Sequence, residues 1–231
     1  MKIGLIAAME CELNGINEYI VEKENYIINQ FNFICGKIHS CEIVSVCCGI
    51  GLVNAALATQ LLINHFSVNC VINPGVAGAL SKELDICDVV ISKDTTYWDF
   101  NPQQLINCFP FMEDKHFPAY KLLYDKCLIV CGDTIQPNKM VLGRVVSGQR
   151  FITDLDTKLR LNENMKADCV EMEGAAVAHA CYLTKTPYLI IRSISDTLKH
   201  NDENASIAFR VFLQKASSQL TKILDKLLHA V

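Results

Sequence analysis

The chain reads as an α/β fold built on a largely parallel central sheet. Three observations carry that reading. Short, β-branched apolar runs alternate with longer segments of helical periodicity. The runs at 68–72 and 188–194 are almost continuously apolar, as strands covered on both faces are. No linker, repeat or low-complexity stretch interrupts the 231 residues, so one domain over 1–231 is expected.

The elements follow in order. Residues 2–7 form a strand, and 11–19 begin a helix. Strands are expected at 26–38 and 41–46, with His39 and Ser40 as the turn between them. In 51–66 the residues Leu52, Ala55, Ala56, Thr59, Leu62 and Ile63 share one helical face. A strand at 68–72 runs into Asn73-Pro74-Gly75, and another covers 88–92. Residues 119–128 have helical spacing, and 144–147 form a short strand. An Ala-rich helix spans 171–183. The strand at 188–194 carries one charge, Arg192, and 205–230 is a long amphipathic helix. The stretch 98–118, rich in Pro, Asn, Gln and aromatics, is expected to be a surface loop, and loops of that length are often functional.

Composition narrows the class. Hydrophobic residues make up 51% and charged residues 20%, a globular balance. The formal net charge is −4 and Lys and Arg are scattered, which gives no surface for nucleic acid. No apolar stretch is long enough to span a bilayer. The start, MKIGLIAAMECE, lacks the apolar length and cleavage site of a signal peptide, so a cytoplasmic protein is expected. Its 12 cysteines are then expected to be reduced thiols, many of them buried. No CxxC or HxxxH pair occurs, so neither a metal nor a cofactor is expected.

In open α/β sheets ligands bind beyond the carboxyl ends of the strands. That rule selects Met9, Glu10 and Glu12 after the first strand, and Gly49-Ile50-Gly51 after the strand at 41–46. It selects Gly75-Val76-Ala77-Gly78 after 68–72 and Gly148 to Ile152 after 144–147. Ser195 and Asp196 follow 188–194, and Glu171-Met172-Glu173-Gly174 enters a helix. Each has a plainer reading. The glycine segments are ordinary turn chemistry. Glu10, Glu12 and Glu173 are acidic residues near helix starts, where the dipole favours them. Asp196 is a fitting N-cap. Their joint placement at strand ends is what favours a site.

Six segments carry a resemblance: IGLIAAMECEL (3–13), GIGLVNAA (49–56), NPGVAGAL (73–80), VVSGQRFI (145–152), VEMEGAAVAHAC (170–181) and RSISD (192–196). In order and spacing the chain resembles the 5′-methylthioadenosine/S-adenosylhomocysteine nucleosidases of the nucleoside phosphorylase superfamily. The resemblance implies a single-domain, three-layer α/β/α fold with a central mixed, twisted sheet. It implies hydrolysis of the N-glycosidic bond of small adenine nucleosides, a place in methionine salvage, and a homodimer. Glu12 then matches the residue that activates water, Asp196 the acid that protonates adenine N7, and Glu173, with Met172 beside it, the carboxylate on the ribose hydroxyls. Phe151 matches the ring stacked near adenine, and Ile152 the backbone that reads its edge. Ile50 and Phe209 match walls of the ribose and 5′-alkylthio pocket, with Ile207 as the fallback for Phe209. Met9, Val76, Ala77, Gly78, Arg192 and Ser195 match other positions around the site.

The residue types suit that chemistry. Adenine leaves well only when protonated, so an acid is needed at N7. The sugar gains positive charge at C1′, which carboxylates stabilise, and water needs a base. Phosphate, a dianion, would need Arg or Lys, or a run of free backbone N–H groups. The AAMECEL loop offers two carboxylates and no cation, which favours hydrolysis over phosphorolysis.

Two departures from the family pattern stand out. Trp98-Asp99-Phe100-Asn101-Pro102 replaces an expected His-Asp-x-Asp run, and Leu105 falls where an aromatic of the partner's pocket is expected. That change bears on the 5′-substituent and leaves a futalosine-type nucleoside, or a related phosphorylase substrate, as the alternative. Gln149 also stands where the family carries Asp. A rival copy of this motif, IVCGDTI at 129–135, has the Asp but not the Phe-Ile pair nor the spacing to EMEGAA.

Overall fold

The computed structural model describes residues 1–101, 103, 114–198 and 202–231, with the side chains of 202–210 left aside. Ten strands are named in chain order: β1 (Lys2–Ala7), β2 (Val21–Ile28), β3 (Phe31–Ile38), β4 (Cys41–Cys47), β5 (Cys70–Ala79), β6 (Val89–Tyr97), β7 (Phe117–Pro118), β8 (Met140–Ser147), β9 (Cys169–Glu171) and β10 (Tyr188–Asp196). The helices are α1 (Glu10–Asn17), α2 (Leu52–Asn64), α3 (Lys121–Cys131), α4 (Leu155–Met165), α5 (Gly174–Thr184) and α6 (Asp202–Ala230).

All ten strands join one mixed sheet. β5 pairs with β1 and β10 in parallel and with β9 antiparallel. β10 pairs with β6, β6 with β8, and β8 with β9. The circuit β5–β10–β6–β8–β9–β5 therefore closes on itself, and β1, β4, β3 and β2 extend from it as an open wing. Helices cover the sheet in two groups. α2 packs on α5, while α6 packs on α1, α3 and β10. These are the three layers expected, with the sheet curled into a ring at one end.

The strands that build the ring are apolar because both their faces are covered: every residue of β5 and β10 is buried. A main core gathers β1, β4, β5, β10, α2 and α6 around Leu5, Ile72, Leu62 and Leu224. A smaller cluster of Leu80, Val146, Ile152, Leu161, Ala167 and Val170 lies under α4.

Four expectations change. Residues 26–38 are not one strand, because Asn29 and Gln30, with φ of 50° and 70°, make a hairpin turn without a glycine. Gly75 to Gly78 are not a turn but the second half of β5. Pro74 is tolerated there because its free side lies between the last pairing with β1, at Ile72, and the first with β9, at Gly78. The loop at 98–118 starts as expected after β6, but its last two residues pair with β6 as β7. Leu105 and Pro102 lie outside the described residues. α4 and β9, polar or short in sequence, were not anticipated. The rival motif at 129–135 ends α3 and forms a 3-10 turn, Gly132–Ile135, whose carboxylate Asp133 is not among the residues of the strand-end cavity described below.

Among the described residues no helix is long and apolar enough to cross a membrane, and no group of three or more His, Cys, Asp or Glu could hold a metal ion. The wing depends on one close approach. A Cβ on Gly36 of β3 would collide with Ile20 Cγ2 and the Val21 carbonyl, where β2 bulges between Val21 and Glu24. Gly36→Ala is expected to lower unfolding stability by about 1–3 kcal/mol, read by urea denaturation as a lower midpoint at unchanged m-value.

Candidate active site

A cavity of about 430 Å³ opens at the carboxyl ends of β1, β4, β5 and β8, a size within the range of small-molecule sites. Met9, Glu12, Ile50, Val76, Ala77 and Gly78 line one side. Phe151, Ile152, Met172, Glu173 and Ser195 line the other. Eleven of the fourteen candidate residues therefore meet around one space. Asp196 is buried directly behind Gly78, and Arg192 lies beneath the floor. The side chains of Phe209 and Ile207 lie outside the described residues.

Glu12 is fixed by the way α1 begins. Its Oε2 accepts the Met9 N–H at 2.9 Å, one half of a capping box, and its Oε1 accepts the Val76 N–H at 3.1 Å. Glu12 thus both caps the start of α1 and lines the cavity. Burial raises its proton affinity, and the Arg192 guanidinium pulls the other way.

Two glycines of β5 make room for carboxylates. A Cβ on Gly75 would stand 3.0 Å from Glu12 Oε1 and 3.2 Å from Arg192 Nη1. One on Gly78 would stand 3.0 Å from Asp196 Oδ2. The β5–β10 register sets Arg192 opposite Gly75, and an irregularity between Ile194 and Asp196 sets Asp196 opposite Gly78. Asp196 is therefore the last residue of β10 and not a helix cap.

The β4–α2 turn supplies the third group. Gly49 and Gly51 have φ of 81° and 106°, which only glycine adopts without strain. This turn aims the Gly51 N–H at Glu173 Oε1, 2.7 Å away. Burial, then the neighbouring Glu171, pushes Glu173 up to about 7, against the pull of the Gly51 N–H and Arg192.

Glu171 and Arg192 anchor these groups. Arg192, 2% exposed, donates from Nη1 to the Asn73 carbonyl at 2.6 Å. From Nη2 it donates to Asn73 Oδ1 and to Glu171 Oε2, both at 2.5 Å. Glu171 also accepts the N–H groups of Glu173 and Gly174 and the Ser147 hydroxyl. The start of α5 is thus capped by Glu171, which frees the Glu173 carboxylate to turn toward Gly51.

Sequence reasoning missed four participants. Glu171 was seen in the motif but not distinguished from Glu173; a Glu-x-Glu pair at a strand end places both carboxylates on one side, and that spacing was the available signal. Lys158, fully buried, makes an ion pair with Asp196. Its signal was a lysine on the helix stripe it shares with Leu161 and Met165. Asp99 Oδ2 accepts the Gln149 N–H at 3.0 Å and ties the 98–101 segment to the turn carrying Phe151 and Ile152. Arg150 borders the cavity with its guanidinium 5.2 Å over Trp98.

The model of the phosphorylase superfamily matches residues 2–229. The 5′-methylthioadenosine/S-adenosylhomocysteine nucleosidase of Staphylococcus saprophyticus is 33% identical over 232 residues, covering 99% of this chain and 100% of the relative. The structure of the Neisseria meningitidis nucleosidase of that name, in complex with methylthio-immucillin-A, superposes with a TM-score of 0.89 at 30% identity, covering 100% and 99% of the two chains. The futalosine hydrolase of Helicobacter pylori strain 26695 also gives a TM-score of 0.89 at 30% identity, over 100% and 98%. With near-complete coverage on both sides and these segments gathered at one cavity, the chain belongs to the 5′-methylthioadenosine/S-adenosylhomocysteine nucleosidase family of the phosphorylase superfamily.

Proposed function

We propose that the chain is one catalytic domain over 1–231 that hydrolyses the N-glycosidic bond of 5′-methylthioadenosine and S-adenosylhomocysteine. It releases adenine and the 5-thio-substituted ribose, a methionine-salvage step in the cytoplasm. The carrying observation is the set of carboxylates Glu12, Glu173 and Asp196 around one cavity, with the guanidinium of Arg192 already committed to Asn73 and Glu171.

Adenine lies between Phe151 and the Ser195–Asp196 end of β10, with the Ile152 backbone at its edge. Asp196 gives a proton to N7, so the base departs neutral. Glu173 accepts the ribose hydroxyls, and Met9, Ile50 and Met172 pack on the sugar and its 5′ side. Glu12, whose proton affinity burial raises, takes a proton from the water attacking C1′. The developing oxocarbenium charge forms between Glu12 and Glu173. Phosphate would meet the same carboxylates, which supports water as the nucleophile.

A futalosine-type substrate is the second reading. The likeness to the Helicobacter pylori futalosine hydrolase and the Trp98-Asp99-Phe100-Asn101 segment favour it. Adenine release from 5′-methylthioadenosine, S-adenosylhomocysteine and aminofutalosine, with and without phosphate, separates the readings. Release from the thio-nucleosides without phosphate is expected; a requirement for phosphate would refute hydrolysis. Asp196→Asn is expected to lower kcat by about two to four orders of magnitude.

A homodimer is supported by exposed apolar side chains at the cavity mouth. Ile50, Val53 and Leu57, at the start of α2, are each more than half exposed beside an open site. Light scattering is expected to give twice the 25.8 kDa chain mass.

Glu173 predicts a stability profile. Folded, it holds its proton up to about 7, whereas an unfolded glutamate releases it near 4.5. The folded state thus binds more protons between these values, and stability from this group falls as pH rises through 7, by on the order of 3 kcal/mol. Glu173→Gln, which keeps an acceptor for Gly51, should gain on the parent as pH rises from 5 to 8 in parallel denaturation curves.

A further inference from the structure

Behind Gly78 the cavity wall hides a buried cation. Lys158 sits in the first turn of α4, where Asp154 caps the helix by accepting the Thr157 N–H at 2.8 Å. Its side chain is fully buried and runs inward beside the apolar cluster of Leu80, Ile152, Leu161 and Val170. The ammonium ends on Asp196 Oδ2. The other oxygen, Oδ1, lies 3.1 Å from the Ser195 hydroxyl, which borders the cavity. That hydroxyl has a second acceptor, the Ala77 carbonyl at 3.3 Å. It can therefore turn its one hydrogen to Oδ1 when Oδ1 is bare, and to Ala77 when Oδ1 carries a proton.

A buried ion pair is weak evidence for stability, since the loss of hydration offsets most of the attraction. A pair placed against a reacting group has another use. Resting on the nucleosidase reading above, we propose that Lys158 is a positioning residue for glycosidic cleavage: it holds Asp196 by Oδ2, presents Oδ1 to adenine N7, and receives the charge left when the proton departs. In the step, the O–H bond at Oδ1 breaks and N7–H forms, with the electron pair staying on the carboxylate. At C1′ the glycosidic pair leaves with the base, and water supplies the new C–O bond while Glu12 takes its proton. Asp196 has lost one proton and Glu12 has gained one, so exchange with solvent restores both. The new carboxylate forms already in contact with an ammonium, and both side chains are buried from solvent.

The test compares Lys158→Met and Lys158→Ala with the parent, alone and combined with Asp196→Asn. Lys158→Met is expected to lower kcat on 5′-methylthioadenosine about 10²-fold, the scale of removing one preorganised electrostatic partner, with KM changed less than about threefold. In the Asp196→Asn background the same change should cost less than about threefold, because the partner is gone. Ethylammonium should restore part of the lost kcat in Lys158→Ala, which a space-filling role would not allow. Lys158→Gln, neutral but similar in length, replaces Lys158→Met should that variant not fold. Unchanged kcat in a folded variant, an equal further loss on Asp196→Asn, or no amine rescue would overturn the proposal. A parent that releases no adenine refutes the nucleosidase reading, and this inference falls with it. An active parent with inactive Asp196→Asn and unaffected Lys158→Met refutes this inference alone.

Discussion

The buried guanidinium of Arg192 is the constraint around which the cavity floor is arranged. Glu12, Glu171 and Glu173 converge within an apolar ring of strands, and one arginine lies among them. An isolated carboxylate in such surroundings would be strongly disfavoured, and removing the arginine would leave several uncompensated. Its position explains other choices. Gly75 is opposite it because a Cβ would crowd both its Nη1 and Glu12. Asn73 supplies it with a backbone and a side-chain acceptor at the point where β5 leaves β1. Glu171 takes the ion pair with it, and Glu173, whose proton affinity is raised by burial and then by the neighbouring Glu171, feels the guanidinium only as a weaker opposing pull.

The two ends of the cavity are therefore electrically different. At the β1–β5 end three carboxylates share one cation at a distance or through hydrogen bonds. At the β10 end, among the described residues, the Asp196 carboxylate is paired with the Lys158 ammonium. Arg192 and Asp196 stand on β10 of the closed ring, whereas Glu12, Glu173 and Lys158 are brought to it by α1, the start of α5 and α4. The segment at 98–101 is tied to the wall by the Trp98 N–H on the Ser147 carbonyl, by Asp99 accepting the Gln149 N–H and by the Arg150 guanidinium over Trp98.

Much of this was legible in the sequence, and the exceptions share a cause. The alternation of apolar strands and helices revealed the layers, and the strand-end rule collected Met9, Glu12, Ile50, Glu173 and Ser195 into one list. Gly75 and Gly78 were read as turn residues because glycine and proline usually bend the chain. Here they clear space within one continuous strand, a need set by Glu12, Arg192 and Asp196 far away in sequence. Lys158 escaped because a lysine near a helix start ordinarily faces water, and only the packing of α4 on the ring turns it inward. Asn29 and Gln30 hid a hairpin because neither is glycine. Ring closure itself was not legible, since β9 has three residues and no pattern of its own.

Closure has one further effect. A sheet with two free margins presents unpaired N–H and C=O groups on both, each able to template another chain. In this molecule one end of the sheet curls back onto β5, leaving β2 as the long exposed margin among the described strands. That strand carries Glu22, Lys23 and Glu24 and is kinked by a bulge with Glu22 at φ of 54°. Glu22 is also bound to Lys37 across the hairpin. Protection against edge-to-edge aggregation, which would otherwise be needed twice, is concentrated in one charged and twisted strand, and the exposed Tyr26 and Ile27 can remain on it.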